Sequence, residues 1–170
     1  MKTVINIDLK NITNPIYYPL YQNQSRYLVL YGGAGSGKSW YAAEKILYRI
    51  MKEESHRILI VRKVARTLRR SVFQLFQDYI SRWNLEKLFV KNKTDMDIKY
   101  YNGNMIYFAG IDDPEKLKSI EGVTSVWIEE ASELSLDDFN EINRRLRGKT
   151  KNYKPIIFTY NPISVLNWTN

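Results

Sequence analysis

Cysteine is absent from all 170 residues, and histidine occurs once, at His56. Disulfides, thiolate metal sites and histidine metal clusters are thereby excluded, so any metal must sit on oxygen ligands. No stretch approaches the roughly 18 uninterrupted apolar residues of a membrane span, although 44% of the residues are hydrophobic. The opening MKTVINIDLK has neither an apolar run of signal-peptide length nor a small-residue cleavage site. A soluble chain that stays inside a cell is the expectation. Low-complexity linkers and internal repeats are also missing, and the length suits one compact domain.

What is abundant is positive charge and aromatic residues. Twenty-six Lys and Arg against 18 Asp and Glu give a formal charge of +8, which favours a polyanion such as nucleic acid or an acidic surface, or serves solubility alone. Most of the 13 Tyr, 4 Trp and 6 Phe fall on predicted inner faces and are read as core. His56, between Ser55 and Arg57, reads as a surface residue.

The order of patterns alternates. Tyr27 to Tyr31 is a β-rich run ending in glycines, and Lys38 to Met51 follows with apolar residues at helical spacing. Arg57 to Val61 is a second strand. After it Leu68, Val72, Leu75, Phe76, Tyr79, Ile80 and Trp83 predict one amphipathic helix. Asn102-Gly103, between Ile98–Tyr101 and Asn104–Phe108, predicts a hairpin with a tight two-residue turn. Val123 to Glu129 is a strand ending in two acids, Ser135 to Asp138 is a capping box before a helix closed by Gly148, and Pro155 to Tyr160 is a last strand. Such alternation predicts an α/β fold in three layers, a mainly parallel central sheet covered on both faces, with the ligand site at the carboxyl ends of the strands.

The segment Gly32-Gly33-Ala34-Gly35-Ser36-Gly37-Lys38-Ser39 fits G-x-x-x-x-G-K-[ST] and lies between a strand and a helix. Backbone N–H groups of such a loop converge on phosphate oxygens, aided by the positive end of the helix that follows. Lys38 would reach the β- and γ-phosphates of a nucleoside triphosphate, and the Ser39 hydroxyl would ligate Mg²⁺. Hydrolysis also needs a carboxylate near the metal and another to activate water. Glu129 and Glu130 are assigned these roles in that order, the alternative being two solvated acids at a loop start. Asp112-Asp113 is a weaker rival because Pro114 follows it. Thr159 to Asn161 ends the last strand, and Asn161 is the candidate γ-phosphate sensor. Gln22 and Gln24 precede the first strand and are candidates for contacting an adenine edge. Arg62 and Lys118 are the preferred candidates for a finger reaching a neighbouring subunit's γ-phosphate, ahead of Lys63, Lys116 and Arg144 to Arg147. Arg66, Arg69 and Arg70 suit either DNA phosphates or a solvated helix face.

Taken together, RYLVLYGGAGSGKS, ILIVRK, LKSIEGVTSVWIEEASEL and FTYNP resemble the ATPase domain of the large terminase subunit of tailed bacteriophages, over about residues 25 to 165. The resemblance implies a RecA-like P-loop NTPase of the additional-strand (ASCE) branch. It implies ATP and Mg²⁺ as cofactors, Glu130 as catalytic base, and coupling of hydrolysis to movement through Thr159 to Asn161. It further implies a motor threading double-stranded DNA into a procapsid in the cytoplasm of an infected bacterium. That motor would be a pentameric ring when assembled and a monomer in isolation, working with a portal protein and a small terminase subunit and with no membrane. Residues 1–24 would then be an N-terminal segment with adenine-side contacts, 25–165 the ATPase domain and 166–170 a tail, with the family's nuclease domain absent. Two residues depart from the family pattern: Ala34 stands where many members carry arginine, and Glu129 where aspartate is commoner. Another nucleic-acid translocase, or a P-loop kinase, is the alternative.

Overall fold

A computed structural model describes residues 6–162. The tail expected at 166–170 lies outside the described residues. Helix α1 (Leu9–Ile12) and a 3₁₀ segment (Pro15–Tyr21) lead into β1 (Tyr27–Tyr31), α2 (Lys38–Lys52) and β2 (Arg57–Arg62). Then come α3 (Ala65–Arg70), α4 (Val72–Arg82), and strands β3 (Phe89–Asn92), β4 (Asp97–Tyr100) and β5 (Met105–Gly110). The chain continues through α5 (Pro114–Ser119), β6 (Ser125–Glu129), α6 (Leu136–Arg145) and β7 (Ile156–Tyr160). Among the described residues no helix is long and apolar enough to cross a membrane.

The strands form one sheet in the order β1-β7-β6-β2-β5-β4-β3. Pairing is parallel from β1 to β5 and antiparallel from β5 to β3. The expected α/β class and mainly parallel sheet are therefore present. Central strands buried on both faces explain the uninterrupted apolar runs: every residue of β6 and β7 is buried. The core divides into two layers. Leu28, Leu30, Ile60 and Trp127 face α2 and α4, whereas Leu59, Val61, Val126, Ile128 and Phe158 face α5 and α6. The capping box at Ser135 forms as expected. Gly148 sits where its N–H donates to the Val123 carbonyl at 2.7 Å, and a Cβ there would lie 2.1 Å from the Gly122 oxygen. Close backbone approach, not a left-handed cap, requires that glycine.

Three local expectations change, and one strand is added. The single helix predicted over Leu68 to Trp83 is two, because Ser71 (φ −102°, ψ −89°) leaves helical geometry between α3 and α4. The hairpin turn has three residues rather than two: Tyr100 accepts from Gly103 N–H, Tyr100 N–H donates to Asn104, and only Gly103 takes positive φ, +95°. Strand β3 extends the sheet by pairing with β4, although no sequence pattern announced it. His56 is fully buried: Nε2 pairs with the Ser125 hydroxyl at 2.8 Å and Nδ1 lies 3.1 Å from Glu53 Oε2. Burial pushes its imidazole pKa down.

Candidate active site

Three neighbouring strands end together. Parallel register sets Tyr31 of β1 against Tyr160 of β7, and Thr159 of β7 against Glu129 of β6. The loop after β1, the Asn161 turn after β7 and the acids after β6 therefore lie side by side at the carboxyl edge of the sheet, where an open α/β sheet binds ligands. Strand β2 completes the row, since the pairing of Val61 with Ile128 puts Arg62 level with Glu129.

The loop Gly32 to Ser39 turns through left-handed backbone at Gly35 (φ +76°) and Gly37 (φ +85°), conformations that a side chain would disfavour. A Cβ at Gly33 or Gly35 would meet nothing within 4 Å, so backbone conformation at Gly35, and not crowding, calls for glycine there. Lys38 is buried, and its Nζ donates to Gly32 O (2.9 Å), Gly33 O (2.8 Å), Ser36 Oγ (2.9 Å) and Asn161 Oδ1 (3.0 Å). An ammonium group has three donors, so these four acceptors share them, and phosphate oxygens would compete for the same protons. Asn161 thus meets the loop lysine directly.

Glu129 is 7% exposed. Its Oε2 accepts from the Ser71 hydroxyl at 3.2 Å and lies 3.6 Å from Arg62 Nη1. Burial pushes its pKa up to about 7; Arg62 and Ser71 pull it down, and Glu130 and Glu133 add to the rise. Among the described residues neither Glu129 Oε1 nor the Ser39 hydroxyl has a hydrogen-bond partner. A free carboxylate oxygen and a free hydroxyl are hard donors of the kind Mg²⁺ takes, so the residues present fit the ion. Glu130 follows with φ +51° and ψ +50°, a left-handed conformation costing of order 1 kcal/mol for a residue with a Cβ. That bend carries Glu130 out of the strand and leaves its side chain only partly buried.

The other expected residues are distributed unevenly. Arg62 faces inward: besides Glu129 it contacts Glu133 at 3.4 Å, and these carboxylates hold its pKa up against burial. Arg62 is consequently engaged with its own subunit's acids. Lys118 is exposed on α5, the helix that follows the carboxyl end of β5, beside Asp137 and Glu141 of α6. Thr159 is buried and accepts from the Trp127 indole N–H at 2.9 Å, so its hydroxyl fixes β7 to β6 rather than facing the cleft. Gln22 and Gln24 line a separate cavity of about 1400 Å³ with Tyr48, Arg49, Lys52 and Tyr153, beside the last turns of α2. The residue of this N-terminal segment that touches the loop is Tyr17, whose hydroxyl donates to Ser36 O at 2.8 Å and whose ring stacks on Tyr41 at 4.6 Å. Sequence reasoning missed Tyr17 and Ser71. The rival acids serve as caps: Asp112 accepts from Ala65 N–H, and Asp113 from Lys116 N–H.

The raised pKa of Glu129 makes a stability prediction for metal-free protein. A carboxyl whose folded pKa exceeds its unfolded value contributes stability that is present at low pH and is lost as pH rises from the ordinary carboxylate range through about 7. Glu129→Gln removes that loss. With metal chelated, the variant should gain stability relative to wild type between about pH 5 and pH 8, by at most about 3 kcal/mol. Thermal melts at both pH values check it, and a difference independent of pH would refute it.

The family model described as phage terminase large subunit matches residues 24–170. The PBSX phage terminase large subunit of Bacillus subtilis (strain 168) is 38% identical over 146 residues, covering 86% of this chain and 33% of that protein. This chain therefore spans about a third of that relative's length. Among solved structures, the large terminase of bacteriophage HK97 superposes with a TM-score of 0.75 at 12% identity, over 92% of this chain and 35% of that one. The large terminase of a thermophilic bacteriophage, solved in complex with ADP, superposes with a TM-score of 0.63 at 14% identity, over 84% of this chain and 35% of that one. At these identities the structural likeness establishes the fold.

Proposed function

This chain belongs to the phage terminase large subunit family, and from that premise we propose that it hydrolyses ATP to drive double-stranded DNA into a procapsid. The observation that carries the reading is the 3.0 Å contact from Lys38 Nζ to Asn161 Oδ1. It joins the phosphate loop to β7, the strand standing between that loop and the acid pair, which supports reading the three as parts of one hydrolytic site.

Residues 25–165 act as the ATPase domain. Backbone N–H groups of Gly33 to Ser39 and the Lys38 ammonium bind the β- and γ-phosphates, at the positive end of α2. Ser39 and Glu129 would hold Mg²⁺, which neutralises charge on those phosphates when bound. Glu130 accepts the proton of the attacking water. Lys38, drawn to the phosphates, releases the Asn161 side chain, which is then free to contact the γ-phosphate and report its presence to β7. Arg62 orients Glu129 within its own subunit, and Lys118, exposed and in no ion pair among the described residues, is the better finger for a neighbour's site. Arg66, Arg69 and Arg70, exposed on α3, suit DNA phosphates. A homo-oligomeric ring, a portal protein and a small subunit in the host cytoplasm complete the machine.

Product analysis tests the chemistry. Incubation with Mg²⁺ and γ-labelled ATP should give ADP and inorganic phosphate in equal amounts, with double-stranded DNA present or absent. Label appearing in a second substrate instead would make the chain a kinase and refute the reading.

A further inference from the structure

Ser71 has one hydroxyl proton and two acceptors for it. Its Oγ lies 3.2 Å from Glu129 Oε2 and 3.0 Å from the Thr67 carbonyl oxygen, which also accepts the Ser71 backbone N–H at 3.1 Å. One donor cannot serve both oxygens fully. The residue stands at the one non-helical position between α3 and α4, so the choice of acceptor bears on how α3 is joined to the rest of the fold. Thr67 lies in α3, whereas Glu129 ends a central strand. Nothing in the local sequence demands a break here: the apolar stripe from Leu68 through Val72 to Phe76 continues across it. Glu129 supplies the tertiary reason. Ser71 and Arg62 approach the same oxygen, Oε2, leaving Oε1 without a hydrogen-bond partner among the described residues. Helix α3 presents Arg66, Arg69 and Arg70 to solvent, none in an ion pair among the described residues.

We propose that Ser71 is a positioning residue for Glu129 and the joint through which the nucleotide site acts on α3, its hydroxyl turning its hydrogen bond between Glu129 Oε2 and Thr67 O as the site fills. The inference rests on the reading of Glu129 as a metal-holding acid. With the Ser71 hydroxyl donating to Glu129, the carboxylate is aimed and Thr67 O keeps only the Ser71 backbone N–H. With it donating to Thr67, that carbonyl holds both Ser71 donors and the last turn of α3 is tied twice. Filling the site thus changes how firmly an arginine-bearing helix is held, with no contact between that helix and the nucleotide.

Hydrogen–deuterium exchange over residues 65–72, with ATPγS and with or without Mg²⁺, reads the joint directly. Wild type should show α3 exchange that changes when Mg²⁺ is added, and Ser71→Ala should abolish the change and raise half-saturating Mg²⁺ by roughly tenfold, the worth of one hydrogen bond to a charged group. ATPγS affinity measured without Mg²⁺ should stay within a factor of about three, because Ser71 hydrogen-bonds to no phosphate-loop residue and the coupling between the two ligands acts only when Mg²⁺ is present. Ser71→Thr should restore both readouts. Ser71→Cys, which keeps the volume and weakens the donor, should lose them if the alanine variant folds poorly. Wild-type exchange and Mg²⁺ dependence in Ser71→Ala or Ser71→Cys would overturn the proposal, as would wild-type α3 exchange that ignores Mg²⁺. Glu129→Gln separates the two readings: wild-type Mg²⁺ dependence in that variant would refute metal holding itself, whereas its loss beside a silent Ser71 would refute the joint alone.

Discussion

Glu130→Ala should bind ATP about as well as wild type and lose a factor of roughly 10² to 10⁴ in turnover, the usual worth of a positioned general base. The asymmetry follows from position. Glu130 lies one residue past the end of β6, across β7 from the phosphate loop, and makes no hydrogen bond to Lys38, whose four acceptors are Gly32, Gly33, Ser36 and Asn161. Removing its carboxylate leaves the phosphate cradle intact. The left-handed backbone at residue 130 is no obstacle, because alanine pays much the same conformational cost there as glutamate. Glu130→Gln is the closer control, keeping size and hydrogen bonding while removing the base. A fluorescent-nucleotide titration beside phosphate release checks both halves. Wild-type turnover in either variant would sink the assignment of Glu130, and lost binding with lost turnover would make it a structural residue.

Much of this fold is written locally. Apolar runs at β2, β6 and β7 signal strands buried on both faces, and the stripe on α2 signals a helix against them, because burial in a layered sheet acts through periodicity over a few residues. The equally apolar run of β1 is the exception, since it forms the sheet edge with Tyr27, Val29 and Tyr31 exposed. What the sequence concealed depends on partners far along the chain. Periodicity runs unbroken through Ser71, so the division of α3 from α4 became visible only once Glu129, 58 residues later, stood beside it. His56 lies among polar neighbours, yet β6 supplies Ser125 against its ring and the chain before β5 supplies Asn104, whose Oδ1 accepts the His56 backbone N–H. Strand β3 is half-exposed and short, and only its pairing with β4 defines it.

The site divides along the same line. A phosphate loop is eight contiguous residues whose backbone does the binding, so its pattern is legible without a structure. Residues acting through side chains from different strands are not. Arg62 looked like a cation free to leave its subunit, but sheet register sets β2 beside β6 and turns it onto Glu129 and Glu133. Thr159 and Asn161 looked like one coupling motif. The Trp127 indole claims the first, and only the second reaches Lys38.

Lys38→Ala should fail at the earlier step, weakening ATP binding by roughly 100-fold or more, since two charge-assisted hydrogen bonds to phosphate are worth about 1.5–3 kcal/mol each. A second effect adds to this. In the resting cleft the same ammonium ties Gly32 and Gly33 carbonyls to Ser36 and to Asn161, so its removal frees the loop from β7 as well as from the ligand. Lys38→Arg should not rescue: a planar guanidinium is wider than an ammonium and cannot fit the four acceptors converging within 3.0 Å of one nitrogen. Isothermal titration with ATPγS gives the affinity, and amide exchange across residues 32–39 without nucleotide gives the loop. Faster exchange in the unliganded alanine variant, together with lost binding, is the expected pair. Unchanged affinity would remove the phosphate role, and unchanged exchange would show that Tyr17, holding Ser36 from the other side, secures the loop alone.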